Sequence, residues 1–183
     1  MNHYLTITVL PDEEMSEAFL FNTLFAKFHK ALSELKACDV GVSFPKLKCT
    51  PGSILRIHGA FSRLQQLQDL NWLGGLSSYC AVSTIQEVPD KVEYRVISRK
   101  QPTQSNAKLK RYLKHGAITQ DQVEKYIVKM QVSKLTNPFV ELVSNGSGQR
   151  YRRFIEMGPL QKSSVAGEFD QFGFSKTATI PWF

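Results

Sequence analysis

Between residues 16 and 36 apolar side chains recur at Phe21, Leu24, Phe25, Phe28, Leu32 and Leu35. That i, i+3, i+4, i+7 spacing draws one apolar stripe along a helix of about five turns, a face that must be buried. Upstream, residues 4–10 alternate Leu5, Ile7 and Val9 with Thr6 and Thr8 and end at Pro11, which predicts a half-buried strand. Asp12, Glu13 and Glu14 lie between the two, at the helix end whose dipole favours carboxylates. Short strands are expected over 41–44 and 54–58, separated by the turn formers Cys49-Thr50-Pro51-Gly52. Ser62 can cap a second helix carrying Leu64, Leu67 and Leu70, broken at Gly74-Gly75, and residues 79–88 predict a further strand. The order β-α-β-β-α-β is that of the ferredoxin-like (RRM-like) unit, an antiparallel sheet with two helices on one face.

The fold class expected is therefore α+β, with a ferredoxin-like domain over 1–92 and a second α+β domain over 93–183. The charge divides at the same place. Residues 1–90 carry 7 Lys and Arg against 9 Asp and Glu, whereas residues 91–183 carry 16 against 7, a net of −2 beside +9. A basic half joined to a near-neutral one suggests a polyanion-binding module on a scaffold, with RNA, DNA or an anionic membrane as candidates. A merely basic surface is the plainer alternative.

In the basic half, residues 94–99 predict a strand. Ser105-Asn106 can cap a helix holding Lys108, Lys110, Arg111, Lys114 and His115. Lys108, Arg111 and Lys114 share one side, with Leu109, Tyr112 and Leu113 opposite; a solvated face would have the same pattern. Gly116 closes it. A second helix follows, with Thr119 and Gln122 as a capping box, Ile118 and Val123 as a staple, and Val123, Tyr126, Ile127 and Met130 as its apolar face. Residues 139–143 and 149–155 predict a hairpin around the Asn145-Gly146 turn signal. Its second strand interleaves Arg150, Arg152 and Arg153 with Tyr151 and Phe154, the mix that base stacking and phosphate contact require. The Gly-rich loop lacks the Gly-Lys-Ser/Thr ending of a phosphate-binding P-loop.

No cofactor is implied. Cys38, Cys49 and Cys80 lack the paired spacing of a disulfide framework or zinc site, and His3, His29, His58 and His115 have no second histidine at ligand spacing. A metal-free reaction is the one to consider. RNA brings its own nucleophile, the 2′-hydroxyl, so a cleaving enzyme needs a base, an acid for the leaving oxygen and donors for the phosphorane. His29, at the edge of the first helix's apolar stripe, is the best-placed histidine, although a helix histidine of no role is the commoner case. His58 falls in a strand and reads as a packed residue. No apolar run approaches the roughly 18 residues of a membrane span, and the N-terminus turns acidic instead of ending in a signal-peptidase site, so a cytoplasmic chain without a membrane partner is expected.

Several short segments, in their order and spacing, are specific together. They are Asn2-His3-Tyr4-Leu5, the run from Phe25 through His29 to Leu32, Gly41-Val42-Ser43-Phe44-Pro45, Ser98-Arg99 with Gln101, Ser105-Asn106, Gly148-Gln149, Gly158-Pro159-Leu160-Gln161, Phe172-Gly173-Phe174-Ser175-Lys176 and Pro181-Trp182-Phe183. Over essentially its whole length the chain resembles the type I-F CRISPR-associated endoribonucleases that cut the repeat hairpins of the CRISPR precursor transcript. The resemblance implies a basic helix in the major groove of an RNA stem and metal-independent cleavage at the stem's 3′ base. It also implies a 2′,3′-cyclic phosphate product, and retention of the cleaved crRNA within a type I-F surveillance complex of other subunits. Residue by residue, it implies His29 as the catalytic histidine and Ser144 as the serine holding the attacking 2′-hydroxyl. Arg99 and Gln101 match the pair that reads bases at the foot of the stem, and Tyr151 the aromatic residue that stacks on a base.

Phe172 departs from that pattern, standing where the family has a tyrosine beside the histidine, and Gly146 replaces a second loop serine. The helix over 108–115 has fewer arginines than usual, with Tyr112 and Gly116 near positions normally basic. With no tyrosine hydroxyl at 172, His29 is expected to be held by shape or by another donor such as Ser144 or Ser147. Two other functions stay open at this point: a crRNA hairpin-binding subunit that is weak or inactive in cleavage, and a generic ferredoxin-like RNA-binding module.

Overall fold

The structure, a computed structural model, describes residues 1–183 except Thr103, Ser133, Lys134 and Asn145, so the Asn145-Gly146 turn signal lies in part outside the described residues. The elements run β1 (His3–Val9), α1 (Glu17–Leu35), β2 (Gly41–Ser43), β3 (Ile54–Gly59), α2 (Phe61–Asp69), β4 (Cys80–Val82) and β5 (Gln86–Glu87). They continue through β6 (Glu93–Arg95), β7 (Ile97–Lys100), α3 (Asn106–Lys114), α4 (Gln120–Val132), β8 (Phe139–Val143), β9 (Arg150–Met157) and β10 (Ile180–Trp182). The fold is α+β with antiparallel sheets.

The first sheet has the order β2-β3-β1-β4, with β5 also pairing β1. Its register sets Leu5 opposite Ile57 and Ile7 opposite Leu55, so the alternation of β1 and β3 points one row of side chains at α1. Ser16 caps α1 by accepting from Phe19 N. Phe21, Leu24, Phe25, Phe28 and Leu32 are at most 2% exposed, and each contributes about 1.5–3 kcal/mol of burial. His29 follows this stripe at its edge and stays half-buried.

Four local expectations are corrected. Ser62 does not cap α2: the N-cap is Ala60, without a side-chain bond. A 3-10 turn over Gly74–Tyr79 precedes β4, and the strand expected over 79–88 is two short ones, each antiparallel to β1. The strand expected over 94–99 is likewise two, because β6 pairs with β10 while β7 pairs with β9. Asp12 Oδ1 does not serve the first turn of α1; it accepts from Glu14 N and Met15 N in a turn of its own ahead of Ser16.

The second half packs on the first through one continuous core, in which Ile97, Val140, Leu142, Ile155, Phe172, Phe174 and Ile180 join the stripe of α1. Glu141 N donates to Asn22 Oδ1, tying β8 to that helix. α3 and α4 form a small satellite, with Leu109, Val123 and Tyr126 buried together and Ile118 packed against them. Ser105 caps α3 through Lys108 N, and Thr119 N donates to Gln122 Oε1, one half of the capping box. Leu113 and Ile127 stand exposed rather than packed. His58 is fully buried in β3, its Nε2 2.8 Å from Ser43 Oγ.

Candidate active site

The segment after β9 builds the wall beside His29. Asp170 Oδ1 accepts from Phe172 N and Phe174 N, and Gly173 N donates back to Asp170 O, closing a tight turn. Gly173 takes φ +74, and a Cβ there would lie 2.8 Å from Val42 Cγ1, so only glycine allows both the turn and its approach to β2. Val42 N donates to Gly173 O, which fixes the turn against the first sheet.

This turn presents two groups to the imidazole. The Phe172 ring stacks on it, centroids 3.6 Å apart and planes 11° from parallel. The carbonyl oxygen of Gln171 lies 2.8 Å from His29 Nδ1. A carbonyl can only accept, so Nδ1 carries the proton, and in the neutral ring Nε2 is left with a free lone pair. Ser33 Oγ adds support, 2.8 Å from the His29 carbonyl and 2.9 Å from Gln171 Oε1. The hydrogen-bond partner of His29 is thus Gln171, not Ser144 or Ser147.

His29 opens on a cleft of about 800 Å³. α1 contributes Lys27, Lys30 and Ser33 to its lining, β7 contributes Arg99, and the β8–β9 hairpin contributes Ser144, Ser147, Arg150, Tyr151 and Arg153. Ser144 closes the hairpin, its N–H donating to Gln149 O and its carbonyl accepting from Gly148 N. A second cleft of about 720 Å³ shares Arg99 and Arg153 and adds Gln101, Ser175 and Lys176.

The structure therefore gathers His29, Ser144, Arg99, Arg150, Tyr151 and Arg153 around one cleft, with Phe172 buried and stacked on His29 and Gln101 in the next cleft. It does not gather the rest. Lys108, Lys110, Arg111, Lys114 and His115 stand on α3 away from both clefts, Lys108 and Arg111 lying 5.7 and 6.0 Å from the Tyr112 ring. Along β9 the alternation puts Tyr151 and Arg153 on the inner face, while Arg152 turns outward over the Phe139 ring and toward Glu141. Phe154 also packs on Phe139.

Sequence reasoning missed Gln171, Asp170, Ser33, Lys27, Lys30, Ser175 and Lys176. Asp170 and Gly173 at positions i and i+3 carry a turn signature that was available. Ser33, four residues after His29, follows from helical spacing, whereas Lys27 and Lys30, two and one residues away, do not.

An imidazole with a free Nε2, serine hydroxyls and several guanidinium groups around one open cleft define a site able to move a proton beside a bound polyanion. A family profile described as CRISPR-associated protein (Cas_Csy4) matches residues 4–183. Curated relatives named CRISPR-associated endonuclease Cas6/Csy4 include one from Escherichia coli (strain UTI89 / UPEC), 42% identical over 185 residues, and one from Pseudomonas aeruginosa (strain UCBPP-PA14), 36% identical over 187 residues. Each alignment covers 100% of both chains. The chain belongs to the Cas_Csy4 family and is an endonuclease.

Proposed function

We propose that the protein is a metal-independent endoribonuclease that binds and cuts CRISPR repeat stem-loops in the precursor transcript and stays bound to the mature crRNA. The observation that carries this reading is the His29 imidazole, stacked on Phe172 with Nδ1 held by Gln171 O and Nε2 left to accept a proton at the basic cleft. In the reaction the 2′-hydroxyl oxygen attacks the adjacent phosphorus while His29 takes its proton. The bond from phosphorus to the 5′-oxygen breaks, that oxygen takes a proton from water and leaves as a 5′-hydroxyl, His29 returns its proton to solvent, and a 2′,3′-cyclic phosphate remains upstream. Ser144 positions the attacking hydroxyl by a hydrogen bond. Arg99 and Gln101 read base edges at the foot of the stem, Tyr151 stacks on a base, and Arg150 and Arg152 contact phosphates.

In this reading residues 1–92 form a ferredoxin-like domain, which the order β2-β3-β1-β4 supports, and residues 93–183 form the RNA-binding domain. Within it α3 lays Lys108, Lys110, Arg111, Lys114 and His115 along the stem, and the protein joins the other subunits of a type I-F surveillance complex. A binding-only role is favoured by one feature, the missing hydroxyl at Phe172. Against it, the Gln171 carbonyl already orients the imidazole. Incubating the protein with repeat hairpin RNA in EDTA is the test. A 2′,3′-cyclic phosphate and a 5′-hydroxyl end from the cognate hairpin and not from unrelated RNA are expected; tight hairpin binding without cleavage would establish the binding-only role instead.

A further inference from the structure

The floor between the two clefts holds a cation to which the reaction above gives no specific task. Arg153 lines both clefts, although its side chain is only 9% exposed. Its guanidinium carbon lies 3.3 Å from the centroid of the Phe172 ring, and His29 stacks on the same ring at 3.6 Å. Two flat groups at van der Waals distance from one centroid cannot share a face, so the guanidinium and the imidazole sandwich Phe172. The charge on Arg153 is poorly balanced. Asp170 Oδ2 is 3.4 Å away, long for a charged contact, and Arg153 Nε is buried without a hydrogen-bond partner among the described residues. Burial first, then the neighbouring Arg99, disfavour its charge, while Asp170 and Tyr151 favour it. Beyond what the Phe172 ring and Tyr151 supply, a buried cation whose ion-pair contact is long and which has a like charge beside it stays incompletely compensated until an anion arrives.

We propose that Arg153 and Arg99 together bind one phosphate of the RNA backbone at the junction of the two clefts, on a linkage flanking the one that is cut. The proposal rests on the RNA-cleaving reading. A strand passing from one cleft to the other crosses this junction, and the guanidinium fork matches the oxygens of a phosphate. Phe172 stands between Arg153 and His29, so the phosphate held by Arg153 is not the one undergoing attack. Glu168, Asp170 and Lys176 also line the second cleft, and Asp170 already faces Arg153 at 3.4 Å, so the phosphate takes the part of the guanidinium that Asp170 leaves open.

The test uses repeat hairpins with a 2′-deoxynucleotide at the cleavage site, each carrying one uncharged methylphosphonate at the cut linkage or at a neighbouring one. Binding is measured for the wild type, Arg153→Met, Arg153→Lys and Arg99→Met. For the wild type, neutralising one flanking linkage should weaken binding about tenfold or more, the worth of a charge-assisted hydrogen bond. In Arg153→Met the same neutralisation should change little, and Arg153→Lys should keep part of the effect, which a loss of folding would not reproduce. Equal losses in wild type and variants at every linkage would overturn the proposal, as would coupling at the cut linkage alone. The unmodified hairpin is the control: if the wild type neither cuts nor selects it, the RNA-cleaving reading fails and this site falls with it.

Discussion

The imidazole of His29 and the ring of Phe172 lie face to face at 3.6 Å, and the carbonyl that accepts the imidazole proton belongs to the residue just before that ring, Gln171. One turn therefore supplies both the plane and the tautomer of the histidine. A hydroxyl added to the edge of the ring would contribute neither. Phe172→Tyr should leave the single-turnover cleavage rate within about threefold of wild type. Phe172→Leu removes the stacked face, worth about 0.5–1.5 kcal/mol, and should slow cleavage about three- to tenfold. Rapid-quench kinetics on both variants checks this, and a large gain from tyrosine would mean that the Gln171 contact does not orient the ring.

α3 stands apart from the clefts, so in the proposed function its basic residues would act on affinity and not on chemistry. If Lys108, Lys110, Arg111 and Lys114 each neutralise about one phosphate, replacing all four by alanine should flatten the slope of log K against log salt by about 3 units. Binding isotherms across a salt series measure that slope. An unchanged slope would make this helix a solvated face.

Arg99 lines both clefts, and in the proposed function it reads a base edge. Arg99→Ala should weaken the cognate hairpin by about 1–3 kcal/mol more than a hairpin with an altered base of the stem, the worth of a bidentate guanine contact. Competition binding with the two hairpins checks it; equal losses would assign Arg99 to the phosphate backbone alone.

Stability should depend on His58. Burial above all, with Arg56 nearby, lowers its pKa from 6.5 to about 3, so the folded state stays neutral where the unfolded state takes up a proton. Its contribution is complete above pH 6.5 and is lost as the pH falls toward 3. Between pH 7 and pH 5 the loss is about 2 kcal/mol. Urea unfolding at both values should show this drop in the wild type, and His58→Met, less stable at pH 7, should lose correspondingly less.

Much of this arrangement was legible where the physics is local. The stripe from Phe21 to Leu35 put α1 on the page and left His29 at its edge, and Ser105 marked the start of α3. What was hidden depends on partners far along the chain. Gln171 reaches His29 across 142 residues, and a carbonyl has no side-chain signature. The break between β6 and β7 arises because β10, at the C-terminus, claims Glu93–Arg95, while β9 claims Ile97–Lys100. Arg152 and Arg153 look alike in sequence, yet the strand turns one over Phe139 and the other under Phe172.

In the proposed reaction His29 moves a proton and does little else. His29→Ala should be compared with wild type on the repeat hairpin in EDTA, reading single-turnover cleavage and hairpin affinity on the same samples. The variant should lose detectable cleavage, with affinity nearly intact, because the imidazole acts in the transition state and adds little to ground-state binding. Cleavage at the wild-type rate by His29→Ala would mean that another group takes the proton.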